Sequence, residues 1–175
     1  MVRIFVWLML ANLFITCGSR EESDNSDTTE EVIENEIWNP LIILSREETK
    51  IVAAKAEKLY KNLDAMALLV GNVEVDFFGE EGEHISILYS DSAQINEQSN
   101  NLHANGNVYV VSDGGYTLTT SKILWDNRYK IIIAEDSVMF TTTEGDTMYG
   151  VGFESDMDLD QWRIFQIFGV TRGGI

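Results

Sequence analysis

From Trp38 onward the chain alternates apolar and polar positions with a period of two, which predicts short antiparallel strands. Val73, Val75 and Phe77 form one apolar row, and Ile85, Ile87 and Tyr89 form a second. Leu102, Ala104, Gly106, Val108 and Val110 make the longest row. Tyr116, Leu118 and Thr120 follow, then Ile131 and Ile133, then Val138 and Phe140. Turn-forming clusters rich in Gly, Asp, Asn and Glu fall between these rows, at residues 79–82, 113–115, 126–128 and 144–146.

The strands belong to a self-similar unit. Ile51-x-Ala53-x-x-Ala56-x-x-Leu59 leads to Leu69-x-Gly71-Asn72-Val73-x-Val75. Ile87-x-Tyr89-x-x-Ser92-x-x-Ile95 leads to Leu102-x-Ala104-x-Gly106-Asn107-Val108-x-Val110, and Tyr116-x-Leu118-x-x-Ser121-x-x-Leu124 leads to Ile131-x-Ile133. A degenerate fourth copy runs from Met148-x-Gly150-x-Gly152-Phe153 to Ile164 and beyond. A period of roughly 30 to 35 residues is in the range of stacked repeat architectures. One segment carries opposing signals. Ser45-x-x-Glu48 reads as a helix capping box ahead of good helix formers. Register with the second repeat predicts strands over residues 47–62 instead, with a hairpin turn at residues 45–49, and that reading is preferred.

A repeated strand unit has one apolar face that must be covered, so two sheets or one folded-over sheet would enclose a narrow apolar interior. The predicted inward side chains are Val73, Val75, Ile87, Tyr89, Leu102, Val108, Val110, Leu118, Trp125, Ile131, Val138 and Phe140. They either line a groove suited to acyl chains or pack against each other as core. The two end strands have no neighbour and leave open edges, which are docking sites for strand addition.

Composition narrows the chemistry. The formal net charge of −17 repels polyanions and argues against nucleic-acid binding. The single cysteine, Cys17, excludes an intrachain disulfide and a thiolate cluster, and His84 and His103 sit in no ligand motif. Asp156-x-Asp158-x-Asp160 opens like a calcium loop, but Gln161 and Ile167 stand where that loop needs glycine and glutamate. No nucleophile elbow, phosphate loop or dinucleotide fingerprint is present. The expectation is a binding protein with no catalytic residues, no metal and no cofactor.

The first residues read as an export signal. Arg3 supplies a positive charge, and residues 4–15 form an apolar run interrupted by Asn12, too short to span a membrane. The ending Phe14-Ile15-Thr16-Cys17-Gly18-Ser19 resembles a bacterial lipobox, which implies lipidation at Cys17 and anchoring in the membrane through acyl chains. Residues 20–36 hold eight acids and one base with little apolar content, the composition of an extended leash. The predicted organisation is a signal over residues 1–16, a lipidated amino terminus and tether over 17–37, an all-β domain over 38–171 and a short tail over 172–175.

Together, the Gly-Asn-Val-x-Val units at Gly71 and Gly106, the stretch Leu118-x-Thr120-x-x-x-Leu124-Trp125-Asp126, and the block Tyr149-Gly150-x-Gly152-Phe153-Glu154-Ser155-Asp156-x-Asp158-x-x-x-Trp162 resemble the LptC family over most of residues 40–171. That family is the periplasmic component of the lipopolysaccharide export bridge. The resemblance implies an open twisted β-jelly roll of the OstA, LptA and LptC type, in the periplasm, anchored to the inner membrane. It implies that lipopolysaccharide arrives from an ABC transporter of the LptB, LptF and LptG type and leaves to an LptA-like protein, with docking edge to edge. Carried over, the transporter-facing edge falls at Leu41, Ile42, Ile43 and Leu44, and the LptA-facing edge at Phe165, Gln166, Ile167, Phe168, Gly169 and Val170. Many relatives use a membrane-spanning helix where this chain has a lipobox-like cysteine. The alternatives from the residues alone are a β-domain lipoprotein that binds glycans or proteins, and a structural scaffold without a ligand.

Overall fold

The computed structural model describes residues 35–61 and 65–173. The signal, Cys17 and the tether up to residue 34 lie outside the described residues. Those described form eleven strands and no helix: β1 (Asn35–Trp38), β2 (Leu41–Arg46), β3 (Thr49–Lys55), β4 (Lys58–Lys61), β5 (Met66–Phe78), β6 (His84–Asn96), β7 (Leu102–Ser112), β8 (Thr117–Asp126), β9 (Ile131–Thr141), β10 (Thr147–Asp156) and β11 (Trp162–Thr171). β1 occupies the last residues of the span read as tether. Pairing with β4 gives its polar residues partners there, with the Glu36 carboxylate 3.0 Å from the Lys58 ammonium, which also lies 4.0 Å from the Trp38 ring centre.

Every pairing is antiparallel, and from β5 onward each strand pairs with its neighbours in the chain. β1 pairs β4 while β2 pairs β3, and both β3 and β4 lie along β5. β1 with β2 is therefore one bent strand, and β3 with β4 is another. With β5 to β11 they make a nine-strand meander. The strand reading over residues 47–62 holds at residues 49–55 and 58–61, and Glu47 and Glu48 form the hairpin turn with φ of 49° and 72°. Helix propensity loses because Ala53 and Ala54 are buried between two strands, where tertiary packing outweighs a few tenths of a kcal/mol per residue.

Each long strand changes register near its middle. The breaks fall at Val70/Val73, Tyr89/Ser92, Asn105/Val108, Thr120/Leu124 and Val151/Phe153. They lie opposite one another and form a continuous crease. On the outer strands Glu57 continues it, donating its N–H to the Gly71 carbonyl and accepting from the Asn39 N–H, each at 2.9 Å. Bulges increase local twist and bend the strand.

The Gly-Asn-Val-x-Val motif builds this crease. Gly71 and Asn72 have φ of 81° and 45°, and Gly106 and Asn107 have 79° and 45°. Glycine, and next asparagine, enter this left-handed region at the least steric cost. The Asn72 amide donates to the Glu57 carboxylate at 2.6 Å, and the Asn107 amide donates to Asp91 at 2.8 Å. A methyl group on either glycine would collide with the same carboxylate.

The sheet folds along the crease, and its halves face each other. Phe77, on one half, meets Trp125, on the other, with ring centres 5.3 Å apart. Phe140 likewise meets Phe153 at 5.2 Å and Trp162 at 4.7 Å. One buried apolar cluster fills the space between the halves, from Val52 and Leu59 at one end to Phe153 and Ile164 at the other. The edges formed by β1 with β2 and by β11 do not pair with each other, so the sheet is open. The all-β, open, jelly-roll-like expectation is met.

Candidate functional site

The interior takes most of the residues assigned to it. Val73, Val75, Leu102, Val108, Val110, Leu118, Trp125, Val138 and Phe140 are buried between the halves. Ile87, Tyr89 and Ile131 are not, and their inward assignment is corrected. In β6 the inward row is Ser86, Leu88 and Ser90, which leaves Ile87 half-buried and Tyr89 41 % exposed on the other face. The apolar alternation of Ile85, Ile87 and Tyr89 misleads because two inward positions are serines whose hydroxyls find partners: Ser86 donates to the Met157 carbonyl at 2.5 Å and Ser90 to the Ser92 carbonyl at 3.0 Å. In β9 the run Ile131-Ile132-Ile133 has no alternation of its own. Pairing of Trp125 and Ser155 with Ile132 fixes Ile132 as the inward residue.

Two clefts open between the halves, both touching Trp125. One, of about 560 Å³, has a floor of Ile51, Phe78, Ile85, Trp125 and Met157 and a rim of Glu80, Glu83, Asn127, Lys130, Asp156, Asp158 and Gln161. The Lys130 ammonium bonds the Glu80 carboxylate across it at 2.6 Å. That bond and the positive charge hold the Glu80 carboxyl below its usual range. The other cleft, of about 190 Å³, is narrower and more apolar. Ile42, Leu44, Val52 and Ala54 face Ala67, Ile95, Leu102 and Trp125 across it, with the exposed Ile43, Glu97 and Asn100 at its margin.

Sequence reasoning missed the turn between β10 and β11, residues 157–161. It belongs to one half and crosses to the other. Met157 and Leu159 insert into the apolar cluster and Leu159 is fully buried, while Asp158 and Asp160 face solvent. Ser86 holds the Met157 carbonyl, the Trp125 Nε1–H donates to the Met157 sulfur at 3.1 Å, and the Tyr116 hydroxyl reaches the Asp160 carboxylate at 3.4 Å. The Asp156 carboxylate accepts from the N–H groups of Asp160 and Gln161 and from the Ser155 hydroxyl. Partial burial and the adjacent Asp156 push the Asp158 carboxyl above its usual range. Leu159 adopts φ of 61°, a left-handed conformation that costs a leucine about 1–2 kcal/mol. The signal in the sequence was the order Asp156-Met157-Asp158-Leu159-Asp160, which alternates charge and apolar bulk through a turn. Among the described residues no three acid, His or Cys side chains converge on a point that could hold a metal ion.

The edge residues lie where strand addition requires. β2 pairs on one side only, with Ile42 and Leu44 turned toward the cleft and Leu41 and Ile43 exposed. β11 pairs only with β10 and exposes Phe165, Ile167, Phe168 and Val170, while Gly169 is half-buried against Tyr149. Gln166 is exposed between Phe165 and Ile167. A second surface, also unforeseen, is the outer row Tyr89, Tyr109, Thr119, Met139 and Tyr149, which are neighbours on successive strands.

The chain matches no family model and no curated protein.

Proposed function

We propose that this chain is a periplasmic lipopolysaccharide-binding bridge protein of the LptC type, lipid-anchored through Cys17. In this reading it accepts lipopolysaccharide from an ABC transporter of the LptB, LptF and LptG type at the β2 edge. It passes the lipid to an LptA-like jelly roll at the β11 edge. The observation that carries the reading is the pair of apolar clefts meeting at Trp125 inside a folded sheet whose two edges are both open. Acyl chains need a dry apolar path, and the apolar floors of the two clefts supply segments of one. Exposed apolar strand edges are normally blunted, so two unblunted ones argue for β-rich partners at both ends.

A photo-crosslinking residue at Ile42 or Ile85 in cells should capture lipopolysaccharide, and one at Tyr109 on the outer face should not. Absence of capture at both cleft positions would remove the carrier reading. A second reading, a β-domain that binds a glycan or a protein, draws on the outer row of Tyr89, Tyr109, Met139 and Tyr149. Capture at Tyr109 alone would favour it.

A further inference from the structure

We propose that the turn of residues 157–161 is a lid, hinged at the ends of β10 and β11, that swings out to join the two clefts beside Trp125 into one apolar channel. Its purpose rests on the acyl-cargo reading, and its existence rests on the turn's own geometry.

The turn behaves as a plug rather than as part of the sheet. Met157 and Leu159 point into the interior and their three aspartate neighbours do not. A thioether chain and a leucine are close in shape and polarity to a length of acyl chain, and methionine adapts readily to irregular apolar space. They fill the place that cargo would take, so cargo entering as they leave keeps the interior filled. The larger cleft, at about 560 Å³, is sized for a drug-like molecule. A glycolipid with several acyl chains is larger and requires the plug to withdraw.

The closure carries opposing terms. Three hydrogen bonds tie the turn to other strands, Ser86 to the Met157 carbonyl, Trp125 to the Met157 sulfur and Tyr116 to Asp160, beside the burial of Leu159, while the Asp156 cap on the Asp160 and Gln161 N–H groups is internal to the hairpin. Against them stand the left-handed Leu159 backbone and the crowding of the Asp156 and Asp158 carboxylates. Strain of this kind persists only where the surroundings hold it, and it is released when the turn opens. In this proposal the turn opens locally before the sheet unfolds.

The test is alkylation by iodoacetamide under native conditions, on the full chain, with Cys17 separated by peptide mass. Cys introduced by Leu159→Cys should react about a hundredfold faster than Cys introduced by Val110→Cys, which is buried in the sheet. Adding Ser86→Ala should speed the first about fivefold, and low urea should speed the second steeply while hardly changing the first, because local opening exposes little surface. Because Leu159→Cys itself removes packing, peroxide oxidation of Met157 in the otherwise natural chain supplies a second measure. Ser86→Ala should accelerate it about fivefold in native buffer, where the chain stays folded. Equal slow alkylation at both cysteines, or Met157 oxidation indifferent to Ser86→Ala, would overturn the lid. Fast local opening without lipid capture at Ile42 or Ile85 would remove the cargo reading and keep the lid, and capture without local opening would do the reverse.

Discussion

Phe77 and Trp125 touch edge to face at 5.3 Å although they stand on opposite halves of the sheet and three strands apart. This contact exists only because the sheet folds along its crease, so it reports the fold directly. Aromatic pairs in this geometry add roughly 0.5–1.5 kcal/mol beyond area burial. Trp125→Ala removes that pair, the Met157 contact and a wall of both clefts. It should lower stability by about 3–5 kcal/mol in urea unfolding, and Trp125→Phe by clearly less.

The crease glycines should be intolerant of side chains while their asparagine neighbours are replaceable. Gly106→Ala meets a left-handed backbone and the Asp91 carboxylate together and should cost about 1–3 kcal/mol. Asn107→Gly loses one exposed hydrogen bond but keeps the backbone geometry, and should stay within about 0.5 kcal/mol of the natural chain. Chemical denaturation followed by circular dichroism checks both, and equal losses would show that the crease is not set by backbone conformation.

The same crease explains what could be read in the sequence. Alternation gave the rows in β5 and β7 correctly because their inward residues are apolar on both sides of the Gly-Asn pair. It failed in β6, where inward Ser86 and Ser90 are polar and satisfied by hydrogen bonds that no local pattern announces. It failed at Ile131 because a run of three isoleucines carries no parity until its neighbours impose one. The edge positions came from the family resemblance, and β1 at that edge was read as tether because its alternation is short and carries an acid. The plug was not legible, because its signal lies in a turn, where apolar residues are read as noise.

Acidity should act on the cleft rim with two signs. The Glu80 carboxyl is held low by Lys130, with Arg46 adding a smaller pull. Its stabilising contribution is present above the ordinary carboxylate range and fades as pH falls through its lowered value. Asp158 is raised by its withdrawal from water and by the adjacent Asp156, so its contribution is present below the usual value of 3.8 and is lost as pH rises through its raised one. Asp158→Asn should therefore raise Tm at pH 7 and lose that advantage in acid, whereas Glu80→Gln should lower Tm at pH 7 and converge with the natural chain at low pH. Tm measured from pH 3 to 8 for the three proteins decides it.

Charge placed on the open edges should separate docking from folding. Ile167→Lys with Val170→Lys on β11 alters exposed side chains and should leave stability within about 0.5 kcal/mol per site. It should weaken capture of an LptA-like partner by at least about tenfold, since edge lysines are how natural sheets refuse strand addition. Leu41→Lys with Ile43→Lys should do the same for the transporter. Undiminished capture by the β11 variant would place that interface elsewhere.

A meander in which each strand hydrogen-bonds only to the strands on either side of it is a modular span. Inserting one hairpin at the middle would move its two edges apart by about 10 Å, two strand spacings, without altering a residue at either end. Reach and recognition are thus carried by different residues: the hairpin count sets how far apart the ends stand, and the terminal strands alone set what they meet. A chain built this way can change length by duplicating a pair of strands while the sequences of both edges stay as they are.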